Sequence, residues 1–165
     1  MTDEKLPDFS LTIFHNALTE RKQTDTILTC NEKTAAYGLT LTEKQAAALA
    51  ATRADTLKKT GRIEFGSGVM DKLILAFCDS PYISKETYED TLHELIDLFY
   101  SFKNETADRV SDDALIETMK QAFNGDCCGS LELLSGTALP AFVRELNESL
   151  AADTFEQMES TDDEP

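Results

Sequence analysis

The residues best placed to do chemistry in this sequence are a glycine turn and two arginines. Gly66-Ser67-Gly68 precedes an apolar helix, and the free backbone amides that open a helix can hold an anion. Arg62 lies just before the turn, and Arg53 projects from the middle of an alanine-rich helix that could pack beside it. These five residues could form a small phosphate or carboxylate pocket. The alternative is an ordinary tight turn, with Arg53 in a structural ion pair.

The glycine turn lacks the features of the common nucleotide-binding loops. A phosphate-binding loop needs a lysine directly after its last glycine, and Ser67 stands there instead. A dinucleotide-binding loop needs a third glycine, and Asp71 occupies that position. The sequence therefore predicts no cofactor.

Cysteine and histidine side chains offer neither a metal site nor a catalytic residue. Cys127 and Cys128 are adjacent, whereas zinc ligands recur at spacings such as C-x2-C. The two histidines are His15 and His93. His93 could act as a base only beside a nucleophile, and the chain has no G-x-S-x-G motif. We predict no metal ligand and no catalytic residue.

Two consecutive helices within residues 67–103 form the centre of the predicted fold. The first, about 69–78, is apolar on nearly every side, which is typical of a helix enclosed by other elements. Pro81 separates it from the second, because proline disfavours helical geometry in the preceding residue. The second helix has an apolar stripe from Tyr88 to Phe102 and an acidic reverse face.

Further helices are predicted from their capping residues. Thr42 and Gln45 form a capping box before a helix over 43–60 that Gly61 ends, and Ser111 caps another. Thr137 caps a last helix. Its apolar side comprises Leu139, Phe142, Val143, Leu146 and Leu150.

Two parts of the chain leave alternatives open. The secondary structure of residues 9–36 is left open: residues 10–14 could be strand or helix, and the i,i+4 spacing of Phe9/Ile13 and Phe14/Leu18 favours helix, with a second short helix expected over about 24–31. Residues 37–41 and 62–65 alternate and could pair as a two-stranded ribbon. We therefore expect an all-α fold: a single domain of about six or seven helices around a buried central helix at 69–78, with this ribbon as its one minor sheet.

Composition restricts the class of partner. The chain has 165 residues, 31 acids and 15 bases, for a net charge of −16. This field repels nucleic acid and anionic membrane surfaces. Residues 1–152 are predicted to form the helical domain, and residues 153–165, an acidic and poorly apolar tail, to be disordered. The N-terminal residues lack a signal-peptide pattern, and four cysteines without such a signal are typical of a cytoplasmic protein.

Several segments resemble a known family. They are CNEKTAAYGLTLTE (30–43), GRIEFGSG (61–68), FCDSPYIS (77–84), LFYSFKNET (98–106) and SDDALIETMKQAF (111–123). Over about Cys30 to Gly136 the chain resembles an uncharacterised family of small acidic proteins from anaerobic Gram-positive bacteria, a domain of unknown function. The resemblance implies a bacterial cytoplasmic protein and implies no activity.

The sequence favours a non-catalytic protein that binds another protein, or a second copy of itself, through a helix face or its acidic surface. This hypothesis follows from the lack of a catalytic, metal or nucleotide motif. The alternative is a small-molecule or anion-binding protein, with or without enzymatic activity, that uses Arg53, Arg62 and the Gly66–Gly68 turn. A ligand-binding protein should bring those cations together in a pocket, whereas an interaction protein should expose an apolar surface.

Overall fold

A computed structural model shows a helical protein; it describes the backbone of residues 6–64 and 68–161 and the side chains of residues 18–64 and 68–157. No strand occurs in those backbone ranges, which confirms the predicted all-α class. The helices are α1 (Leu6–Thr29), α2 (Asn31–Thr34), α3 (Glu43–Thr60), α4 (Met70–Phe77), α5 (Tyr88–Glu105), α6 (Asp112–Asn124), α7 (Leu131–Leu133) and α8 (Leu139–Thr161). None of these helices is long and apolar enough to cross a membrane.

Helix α4 lies in the centre of the core, as its apolar composition predicts. Met70, Leu73, Ile74 and Phe77 are buried, and α4 packs against α1, α5 and α6. The ring of Phe77 meets that of Phe123 in α6 edge to face, with 5.5 Å between ring centroids. The central helix is thus enclosed on several sides by other helices.

The predicted two-stranded ribbon is wrong. Leu39 and Leu41 do alternate into the core, but their backbone groups bond to Asn31 and Thr34 and not to a second strand. The amide of Asn31 donates to the carbonyl of Leu41 and accepts from its N–H, both at 2.8 Å. The hydroxyl of Thr34 donates to the carbonyl of Leu39 at 2.6 Å. Because alternation reports burial and not the hydrogen-bond partner, the sequence pattern alone suggested a sheet.

Helix α3 has the predicted bounds. Thr42 and Gln45 form both bonds of the capping box, and Gly61 ends the helix with a φ of 68°. The alanine-rich stripe of α3 is buried between α1 and α5. Because the protein's own helices cover this stripe, it is not available to pair with a second copy of the chain.

The first and last helices are longer than predicted. Residues 24–31, expected to form a separate helix, are mostly the C-terminal part of α1. The expected cap Thr137 lies inside a π-helical turn, Leu134–Ala138, that joins α7 to α8 without a break. Helix α8 then runs to Thr161, so the boundary predicted at residue 153 does not coincide with the end of a helix.

Candidate functional site

Arg53, the first residue of the predicted anion site, forms an ion pair inside the protein. It is only 3% exposed. Its Nε and Nη2 atoms donate to Oε1 of Glu64 at 3.2 and 2.9 Å. Glu64 lies in the segment between α3 and α4, and its side chain is 20% exposed. The positive charge of Arg53 is therefore matched by a carboxylate of the same chain.

Tyr100 of α5 completes this group, which we call the Glu64 cluster: Arg53, Glu64 and Tyr100. The hydroxyl of Tyr100 lies 2.9 and 2.8 Å from the two carboxylate oxygens of Glu64. Burial raises the pKa of Tyr100 well above its ordinary value, and the charge of Glu64 raises it further. Tyr100 therefore remains protonated and donates to the carboxylate. The cluster joins the segment before α4 to both α3 and α5.

Gly68 borders the cluster closely. Its φ is 68°, a left-handed conformation that glycine adopts without strain. A Cβ atom at this position would lie 2.0 Å from Oε1 of Glu64 and 3.3 Å from Nη2 of Arg53. The structure thus brings Gly68 and Arg53 together, and the anion between them is the Glu64 carboxylate. Gly66 and Ser67 lie outside the described residues.

Arg62, the other predicted cation, points to a different place. Its guanidinium donates to Asp108 Oδ1 at 2.6 Å and to Oδ2 at 3.2 Å, and to Asn104 Oδ1 at 2.7 Å. The hydrogen bonds from Arg62 lower the pKa of Asp108. Arg62 therefore holds the loop after α5, and the two arginines have different acidic partners. That they bind an external anion stays a prediction.

A groove between α3 and α5 contains His93. The Oγ1 atom of Thr52 lies 2.7 Å from Nδ1 of His93, and Glu89 lies 3.4 Å from Nε2. The groove has a volume of about 320 Å³, and its lining residues are Thr52, Asp55, Thr56, Lys59, His93, Glu94 and Asp97. A hydroxyl, an imidazole and a carboxylate in series can activate a nucleophile. Acyl transfer also needs donors for an oxyanion, and the amides of Thr52 and His93 are used within their own helices.

The buried cysteines Cys30 and Cys127 are poor candidates for a reactive centre. Cys127 is buried, which raises the pKa of its thiol, and burial raises the pKa of Cys30 to about 11. Because the thiolate is the reactive form, both side chains are unreactive at neutral pH. Across residues 18–64 and 68–157, no group of three or more His, Cys, Asp or Glu side chains could hold a metal ion.

The surface feature that sequence analysis missed is the distal half of α8, residues 148–157. Every side chain in this range is exposed. Leu150 is 37% exposed and Phe155 is 65% exposed, although Leu150 was expected on the buried side of the helix. Removing a phenylalanine side chain this exposed from water, by burial against another surface, would be favourable in free energy. The charges around it, which favoured a disordered tail, concealed this surface in the sequence.

The comparisons with known proteins give one match. A family model described as "Family of unknown function (DUF6323)" matches residues 26–152. The matched region includes the Glu64 cluster and α8 as far as Ala152. No curated protein and no solved structure matches the chain.

Proposed function

We propose that this chain, which belongs to the DUF6323 family of unknown function, is a non-catalytic protein that binds another protein, or a second copy of itself, through the distal half of α8. The observation that carries this proposal is the exposure of Leu150 and Phe155 on a helix that extends from the packed core. Exposed apolar side chains grouped on one element are typical of protein interaction surfaces. Because the family has no known function, membership of it assigns no activity to the chain.

The ion pairs of the protein support an interaction role over ligand binding. Arg53 and Arg62 contact Glu64 and Asp108, and the ammonium of Lys103 contacts Asp112 at 2.8 Å. In each pair a cation joins two segments of the chain. An anionic ligand would have to displace one of these carboxylates, whereas a protein partner at α8 would displace only water.

Anion binding remains a second candidate, and one observation favours it. Arg53 and Tyr100 both direct donors at the carboxylate of Glu64, so the position of that carboxylate has the chemistry of an anion site. An external carboxylate or phosphate could bind there if the side chain of Glu64 moved towards solvent. This candidate predicts that phosphate or acetate raises the melting temperature of the unmodified protein.

The proposed interaction would occur in the cytoplasm, and nucleic acid and membrane surfaces are not its targets. Four cysteines without a disulfide support a reducing compartment. The net charge of −16 supports the second point, because it opposes binding to phosphate-rich surfaces.

Site-specific photo-crosslinking in the native cells tests the proposed surface. A photoreactive phenylalanine at position 155 is compared with the same group at Tyr37, which is 57% exposed and lies far along the chain after α2. We expect a discrete adduct from position 155 and none of that mass from position 37. Equal adducts from both positions, or none from position 155, would contradict the proposal.

A further inference from the structure

The two halves of α8 present apolar side chains in different directions. In an α-helix each residue turns by about 100°, so the direction of each side chain follows from its position. We call residues 139–146 the docked half of α8. Its apolar side is formed by Leu139, which is fully buried, and by three partly buried residues. Those three residues are Phe142, Val143 and Leu146. The distal half has another stripe, which we call the distal stripe: Leu150, Ala151, Thr154 and Phe155.

About the helix axis, the mean direction of the distal stripe is rotated by about 100° from the mean direction of the apolar residues in the docked half. Leu150 still lies within about 20° of the direction of Leu139, whereas Phe155 lies about 160° from it and does not continue the surface that packs on the protein's own core. Thr154 adds to its apolar character, because its hydroxyl donates to the carbonyl of Leu150 at 2.8 Å and leaves the methyl group outward. Because every side chain of this segment is exposed and Phe155 faces away from the core, the distal stripe is available to another molecule.

Acidic residues occupy the opposite side of the same segment. Glu145, Glu148, Asp153 and Glu156 fall within an arc of about 140° whose centre lies roughly opposite the distal stripe. Arg144 is the one basic residue between positions 139 and 161. The distal half of α8 is thus an amphipathic helix with an acidic reverse face, and Glu148 and Asp153 at the edges of that face flank the apolar stripe.

The charge decides between two possible occupants. A second copy of the chain would bring its own acidic flanks and a net charge of −16 against the first, and like charges at an interface are unfavourable. We infer that the distal stripe inserts into an apolar groove, rimmed by lysine or arginine, on a different protein. This inference rests on the proposed function. Phe155 is the central anchor, because buried aromatic side chains dominate such interfaces.

Charge reversal combined with the crosslinker at position 155 tests the basic rim. The full-length test variant carries Glu148→Lys and Asp153→Lys, the two acids that border the distal stripe. The matched control carries Glu32→Lys and Glu43→Lys, two exposed acids in α2 and α3, and therefore has the same net charge. We expect the heterologous adduct to fall about tenfold in the test variant and to stay within twofold in the control. The unreversed protein should also lose adduct on transfer from 50 to 500 mM NaCl.

Two results would overturn the inference and leave the proposed function standing. An adduct of twice the chain mass, with a dimer in light scattering, would identify a second copy as the occupant. A heterologous adduct that tolerates both charge reversal and salt would identify a groove without a basic rim. No adduct at position 155 would instead contradict the proposed function itself.

Discussion

Replacing Glu64 by alanine should destabilise the protein strongly. The change leaves the guanidinium of Arg53, which is 3% exposed, without its countercharge. Removing one partner of a buried ion pair costs about 3–5 kcal/mol. The side chain of Glu64 is 20% exposed, so water can enter in its place, and we expect a value near the lower end. For a chain of this size, a loss of about 3 kcal/mol lowers Tm by about 6–12 °C.

Urea and thermal unfolding followed by far-ultraviolet circular dichroism measure this loss. Glu64→Gln is the matched control, because it keeps an amide oxygen as acceptor for Arg53 and Tyr100 while it removes the charge. We expect it to cost about half as much as Glu64→Ala. The double variant Arg53→Met/Glu64→Ala should be more stable than the sum of the single changes implies, since no unpaired buried charge remains.

A small carboxylate should partly restore the Glu64→Ala variant. Arg53 and Tyr100 keep their donors, so acetate or formate can occupy the position of the lost group. A ligand at 100 times its Kd adds about 2.7 kcal/mol. We expect acetate to raise the Tm of Glu64→Ala relative to equal concentrations of chloride, and to leave Glu64→Gln unchanged. The reasoning is refuted if Glu64→Ala melts within about 1 °C of the unmodified protein, or if the two single changes are additive.

Gly68 gives an independent check on the same cluster. An alanine Cβ would collide with Oε1 of Glu64 at 2.0 Å and would also force a left-handed φ. Gly68→Ala should therefore cost several kcal/mol in the natural background, because it displaces the carboxylate. In the Glu64→Ala background its cost should fall to about 1 kcal/mol, the backbone strain alone. Equal costs in both backgrounds would show that the collision does not matter.

Three smaller predictions concern the loops. Asn31→Ala should cost about 2–3 kcal/mol in urea unfolding, because both backbone groups of Leu41 lose their partner; a loss below about 0.5 kcal/mol contradicts this account of the extended segment. Lys103→Met should cost about 1–2 kcal/mol, since its ammonium holds the start of α6, and Lys103→Arg should recover part of that loss. The lowered pKa of Asp108 means that its pair with Arg62 stabilises the protein above pH ~4 and is lost as pH falls through the lowered value. Asp108→Asn should remove that acid-side decrease, which is below about 1 kcal/mol for so exposed a pair, and pH titration of Tm measures it.

Local signals predicted the helices best. The capping box at Thr42 and the glycine at 61 are features of adjacent residues, and α3 has the bounds that they indicate. Helix α4 was predictable because apolar residues on every side require enclosure. The ribbon failed because alternation at residues 39–41 arises equally when Asn31 and not a strand supplies the hydrogen bonds.

The site was only partly predictable. Arg53 was recognisable as a charge inside an apolar stripe, and Gly68 as part of a turn. Their partners were not, because Glu64 is 11 residues from Arg53 and 36 from Tyr100, distances that only the tertiary fold closes. The exposed surface was missed for different reasons: Leu150 was assigned to the buried side of the last helix, and Phe155, an apolar residue among acids, fell in a segment whose composition suggests disorder.

The excess of acidic residues bears both on the ion pairs within the protein and on the kind of partner that it can bind. Among the described side chains, five bases form ion pairs with acids of the chain's own helices and loops: Arg53, Arg62, Lys72, Lys103 and Lys120. An external anion would therefore compete with a carboxylate such as that of Glu64, which is tethered beside its arginine, and would also approach against a net negative field. A basic partner would be attracted by that field. The two candidate functions predict opposite effects of salt on affinity. Screening of the net negative field should assist binding of an anion and should weaken binding of a basic groove to α8.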